Sequence, residues 1–162
     1  MVALGRTATL DPIMARIQIQ LPDSFAFSTD ITLYQLHMNY GGHLDNAMLL
    51  SLVSEARVRF FKSLGYTELD VEGVGILVSD AAVQYRSEAF HGEVMQVSVG
   101  AADLASKGFD LVWCIREKTS QREVARGKTG IVCFDYSSRK VATIPAAFRE
   151  KLATFIAPLG SQ

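Results

Sequence analysis

Between Ala47 and Leu64 apolar residues recur mostly at spacings of three and four: Ala47, Leu49, Leu50, Leu52, Val53, Ala56, Phe60, Phe61 and Leu64. Arg57, Arg59 and Lys62 lie between them. That period predicts an amphipathic helix with a wide apolar face, the longest helical pattern in the chain. Asp45 or Asn46 can cap its start, because their side-chain oxygens accept from first-turn N–H groups. Gly65 can stop it, since glycine reaches the left-handed conformation at low cost. Arg59 and Lys62 suit the negative C-terminal end of the helix and Asp45 its positive start. So broad an apolar face must be covered, and the rest of the chain has to supply the cover.

The remaining patterns are mostly strand-like. Ile17, Ile19 and Leu21 alternate with Gln18 and Gln20, which predicts a short half-buried strand broken at Pro22-Asp23. Residues 25–36 are rich in aromatic and β-branched side chains and read as a longer strand. Residues 66–73 read as a polar loop. Four strand patterns follow, over 75–88, 92–105, 109–118 and 123–136. The breaks between them are short enough for hairpins, which predicts an antiparallel meander. Pro145 can open a terminal helix over 145–156. Residues 1–15 have no clear period and read as a loose arm.

A helix of about 18–20 residues is about 27–30 Å long. Strands of about 10–14 residues are as long or longer, so a twisted sheet can wrap the helix in a single α+β domain spanning 1–162.

Composition excludes more than it assigns. The chain has 162 residues, 49% hydrophobic and 20% charged, with a net charge of −1. That balance carries no footprint of a nucleic-acid or anionic-membrane partner. No apolar run is long enough to span a bilayer. The opening MVALGRTATLDP has too short an apolar core for a secretory signal, so the expected compartment is the cytoplasm. Cys114 and Cys133 sit in LVWCI and GIVCF and read as buried small hydrophobes. Neither forms a metal-ligand spacing with His37, His43 or His91, and no metal is expected.

The polar turn ahead of the helix is the expected functional element. Gly41 and Gly42 let the backbone bend and let another molecule approach closely. Free N–H groups at the helix start can stabilise a developing oxyanion, and Asn39 and His43 place polar side chains beside them.

The element order and this turn resemble the hot-dog fold, and the residues resemble the acyl-CoA thioesterases of the 4-hydroxybenzoyl-CoA thioesterase and YbgC/FadM type. That group carries an aspartate, then three residues, then a histidine and an asparagine that opens the helix. The matching run here is Asn39-Tyr40-Gly41-Gly42-His43-Leu44-Asp45-Asn46, followed by Glu55-Ala56-Arg57. A second match is Val83-Gln84-Tyr85-Arg86, and the resemblance covers roughly residues 24–152. It implies a long central helix wrapped by a five- to six-stranded antiparallel sheet. It also implies hydrolysis of acyl-CoA or acyl-carrier-protein thioesters, with coenzyme A as part of the substrate and no cofactor, in a homodimer or a tetramer built from two dimers.

One departure stands out. Asn39 occupies the family's carboxylate position, and an amide has no lone pair basic enough to activate water. Either another group supplies the base, or hydrolysis is slow, or the protein binds acyl-CoA without cleaving it.

Each candidate has a structural reading beside its functional one. His43 is a general base or carbonyl donor, or a ring that satisfies the helix entry. Asp45 replaces the missing carboxylate or caps the helix, and Asn46 reads as a capping residue. Glu55 and Arg59 have the spacing of a helical ion pair. Asp80, inside an apolar strand, reaches a partner's turn or is solvated. Tyr85, Arg86 and Lys128 meet pantetheine or phosphates, or form a solvated sheet face. Gly42 and Leu44 read as substrate-binding, and the thioester carbonyl would sit at the helix start, polarised by the N–H groups near His43 and Leu44. The acyl chain would run in a tunnel between helix and sheet lined by Leu49, Val53 and Phe60.

Overall fold

A computed structural model describes residues 16–156. The expected arm over 1–15 lies outside the described residues. Helix α1 (Asn46–Ser63) packs against an antiparallel sheet of six strands. These are β1 (Phe27–Thr32), β2 (Gly75–Tyr85), β3 (Val94–Ala102), β4 (Gly108–Glu117), β5 (Glu123–Asp135) and β6 (Lys140–Val141). Helix α2 (Ala146–Ala153) follows.

The predicted helix is present, shifted by one residue. Asp45 is its N-cap, accepting from the amides of Ala47 at 2.8 Å and Met48 at 3.1 Å. Gly65 follows the last turn with φ +86°, and its amide donates to Lys62 O at 3.0 Å. The face turned inward carries Leu49, Leu52, Val53, Ala56, Phe60 and Phe61. Burying each of the larger side chains contributes roughly 1.5–3 kcal/mol relative to exposure. One core cluster joins that face to Ile31 of β1, Ile76 of β2, Val97 of β3, Trp113 of β4 and Ile131 of β5. One buried core therefore joins the helix to every long strand of the sheet.

Four sequence expectations are corrected. The strands do not form a simple meander: the order is β1-β3-β4-β5-β2, with β6 on β5. The hairpins β3-β4-β5 are as expected, but β1 occupies the free side of β3, so β2 pairs with β5 at the opposite edge. The strand expected over 25–36 is only Phe27–Thr32, because the His37 ring accepts from Tyr34 N–H at 2.9 Å and closes a one-turn 3-10 helix. Residues 17–21 join no strand of the sheet. Instead Ile19 is buried against the sheet, donating to the Gln84 side chain and accepting from Arg126. Helix α2 is shorter than 145–156: Phe155 O accepts from Ala101 N–H at 3.1 Å, and Ile156 bridges Ala101 past the first residue of β1.

Sheet register sorts the side chains. Trp113 pairs with Gly127, and the indole lies on the glycine while its N–H donates to Thr129 Oγ1 at 3.1 Å. A bulge at Ser79 shifts the alternation in β2, so Asp80 pairs with Gly130. No helix among the described residues is long and apolar enough to cross a membrane.

Candidate active site

The polar turn is built by its own backbone. Asn39 N–H donates to His43 O at 2.9 Å, and Gly42 N–H returns to Asn39 O at 3.1 Å. Gly42 has φ +81°, a conformation that resists a side chain. A Cβ on Gly41 would lie 3.1 Å from His43 Nε2 and 3.2 Å from Asn39 Oδ1. Both glycines thus let the Asn39 and His43 side chains close on each other.

The orientation of the Asn39 amide follows from its partners. Oδ1 accepts from Gly41 N–H at 2.8 Å and from His43 N–H at 3.4 Å. Nδ2 therefore faces His43 Nδ1, 3.3 Å away. An amide nitrogen only donates, so Nδ1 presents its lone pair and the ring carries its proton on Nε2. Nε2 lies 3.6 Å from Glu88 Oε1, beyond a direct hydrogen bond. His43 is half-buried and Glu88 exposed.

Glu88 belongs to the segment between β2 and β3, which is tied down on two sides. Ala89 O accepts Leu44 N–H at 2.7 Å, and His43 bridges Phe90. The Arg122 guanidinium donates to Glu88 O, to Ser87 Oγ at 2.9 Å and to both Glu93 carboxylate oxygens. A cavity of about 310 Å³ opens here, lined by His43, Leu44, Leu49, Tyr85, Arg86, Ser87, Glu88, Ala89 and Val124.

The structure divides the other candidates. Tyr85 crosses to the helix start, its hydroxyl donating to Asn46 O at 3.1 Å. Arg86 lines the cavity and lies 3.7 Å from Glu123, whose carboxyl is held below its usual range mainly by hydrogen bonds from Arg126. Asp45 is occupied as the N-cap, so the Asn46 amide is the first-turn donor left without a partner among the described residues. Glu55 and Arg59 form the expected ion pair at 2.6 Å.

Two expectations are corrected by geometry, and two other candidate side chains lie apart from this turn. The Leu44 amide does not face a ligand, because it donates to Ala89 O, although the Leu44 side chain lines the cavity. Asp80 folds over Gly130 and accepts from Ser79 Oγ, and Lys128 pairs with Asp110; the register sets both on the sheet face turned away from α1, far from this protomer's turn. The acyl tunnel is not open either: Val53 and Phe60 are sealed in the core, where Phe60 packs edge-on against Phe27, Phe61 and Phe155. Only Leu49 reaches the cavity. Sequence reasoning missed Glu88. As the last residue of a predicted strand it gave no signal beyond its place before a break.

Comparison with known proteins bears on the fold and the family. The family model described as "Thioesterase-like superfamily" matches residues 34–152, which include the turn, the cavity-lining residues and most of the sheet. No curated protein matches the chain in sequence at a significant level. Among solved structures, it resembles Slr0204, a 1,4-dihydroxy-2-naphthoyl-CoA thioesterase from Synechocystis, at 18% identity and TM-score 0.72, over 78% of this chain and 95% of that one. YbaW, a probable thioesterase from Escherichia coli, is 20% identical with TM-score 0.65, over 80% and 98% of the two chains. SAV2348 from Staphylococcus aureus, solved in complex with CoA, is 17% identical with TM-score 0.73, over 87% of each. At these identities the likeness speaks for the fold. Together with the family match over most of its length, it makes this chain a hot-dog member of the thioesterase-like superfamily.

Proposed function

We propose that the protein hydrolyses acyl-CoA or acyl-carrier-protein thioesters to the free acid and thiol. The observation that carries this reading is the Asn39–His43 turn, which sets a histidine N–H at the mouth of a half-apolar cavity beside the start of α1. His43 Nε2–H and the Asn46 amide are donors for the carbonyl oxygen as it gains charge in the tetrahedral intermediate. Leu44, Leu49, Ala89 and Val124 supply apolar walls for the acyl group, and Arg86 at the rim supplies positive charge for a phosphate of coenzyme A. The substrate brings its own coenzyme A, and hydrolysis needs no further cofactor. Two buried free thiols suit a reducing cytoplasm. The protein acts as a homodimer, in which Asp80 of one subunit is available to the turn of the other, or as a pair of such dimers.

The test is free-thiol release from short, medium, long and aromatic acyl-CoAs and from acyl-carrier-protein thioesters. His43→Ala is expected to lower kcat by roughly 10²-fold, the scale of removing one oxyanion donor. Unchanged turnover in that variant across the panel would dismiss the assignment of His43.

A second reading, binding without cleavage, is favoured by the amide at position 39, whose oxygen is already filled by two backbone donors. It predicts a saturable CoA-ester complex without turnover, and gain of turnover in Asn39→Asp.

A further inference from the structure

We propose that Glu88 is the general base of this site, standing in for the carboxylate that Asn39 cannot provide; the inference rests on the hydrolase reading above. The Asn39 amide is pinned with its nitrogen on His43 Nδ1, which leaves the imidazole proton on Nε2. In that state the cavity-facing nitrogen of His43 donates and cannot take a proton from water. Asp45 is committed to the helix cap, and Asp80 of the same chain lies on the sheet face turned away from α1. Among the described residues that line the cavity, Glu88 is the one carboxylate.

Its placement fits the role. The 3.6 Å between Glu88 Oε1 and His43 Nε2 is too long for a hydrogen bond, so neither group is consumed by the other. A carbonyl oxygen can accept a hydrogen bond from Nε2–H while a water donates to the carboxylate beside it. The carboxylate is not on a free loop: Arg122 holds the Glu88 carbonyl, and the next residue is bonded to Leu44 of the turn. The charged and titratable groups that line the cavity with it or hold its segment are His43 from the turn, Tyr85 and Arg86, and Arg122 with its partner Glu93.

The step balances without a co-reactant. Glu88 takes a proton from water as the water oxygen bonds to the thioester carbon. The carbonyl electron pair moves onto oxygen, held by His43 Nε2–H. Collapse re-forms the carbonyl and breaks the carbon–sulfur bond. The departing thiolate takes the proton from Glu88, which returns to carboxylate, and the products are the carboxylic acid and the free thiol.

The experiment measures thiol release by the full chain from acetyl-CoA and benzoyl-CoA, with Glu88→Gln and Glu88→Ala beside the parent. Glu88→Gln is expected to lower kcat by roughly 10²-fold, with KM within about threefold and an unchanged melting temperature. Formate added to Glu88→Ala is expected to restore roughly tenfold of the lost rate, because a small carboxylate can occupy the vacated position. Turnover in Glu88→Gln within about threefold of the parent overturns the proposal. So does a loss in both variants that formate does not relieve and that comes with a lowered melting temperature, which marks Glu88 as structural. A parent without turnover on any thioester overturns the hydrolase reading and the base with it, whereas an active parent indifferent to Glu88 overturns the base alone.

Discussion

Glu117 closes the turn between β4 and β5 by accepting from the amides of Thr119 at 3.0 Å and Ser120 at 2.6 Å, and from the Ser120 hydroxyl at 2.7 Å. These donors, the Thr119 amide first, hold its carboxyl down from an ordinary value of 4.5 to about 2. A folded value below the unfolded one means that the ionised form stabilises the fold above about pH 4.5, and that this contribution is lost as pH falls toward 2. Urea midpoints measured between pH 7 and 2.5 should fall across that window, and Glu117→Gln should lower the midpoint at pH 7 and flatten the acid limb. Equal acid slopes in the two proteins would assign the loss to other carboxylates. Glu117 has no sequence signature, because its role depends on which residues the hairpin brings above it. Asn39 and His43 were legible for the opposite reason: they lie four residues apart in one turn, and their spacing is local. Glu88 meets His43 only through the folded connection between β2 and β3.

At the scale of elements, α1 was readable almost to the residue, because one amphipathic stripe, one capping aspartate and one glycine stop agree. The strands were readable as strands but not in their order. Hairpin-length breaks suggest neighbours, yet α1 carries the chain from β1 to the opposite edge of the sheet before β2 begins. Gly127 in the middle of β5 shows what strand patterning omits. A Cβ there would run into the Trp113 ring and stand 2.6 Å from Ala82 O, so the strand is thinned for an indole. Gly127→Ala should cost about 1–3 kcal/mol, the scale of overpacking a core, read from guanidinium unfolding. A loss under about 0.5 kcal/mol would show that the indole moves aside easily.

For the whole molecule, the open feature is the edge formed by β2. Among the described residues it pairs with β5 on one side only, and Leu77, Val78, Ser79, Asp80 and Ala81 are all exposed, Val78 at 47%. A long unpaired edge with apolar side chains invites another strand. A second copy of this chain, adding its own β2 with two-fold symmetry, would cover it and bring another subunit's residues toward the Tyr85 end of the strand. Sedimentation equilibrium at micromolar concentration should give a dimer or a tetramer, and Val78→Asp should shift it toward monomer with helix content retained. A monomeric parent would remove the shared site.

The sequence alone determined the features that depend on neighbours in the chain: the helix and its caps, the strand character of the long runs, the glycine turn with Asn39 and His43, and the α+β class. Those follow from local sterics and from the period at which apolar residues must reappear to share a face. Tertiary structure decided what depends on contacts between distant segments: β2 at the sheet edge, Asp80 and Lys128 on the far face, the sealed core around Phe60, the amide of Leu44 spent on Ala89, and Glu88 beside His43. Pairing and closure entropy bear on the whole chain, and no short window of sequence records which of several compatible strands will lie beside a given turn.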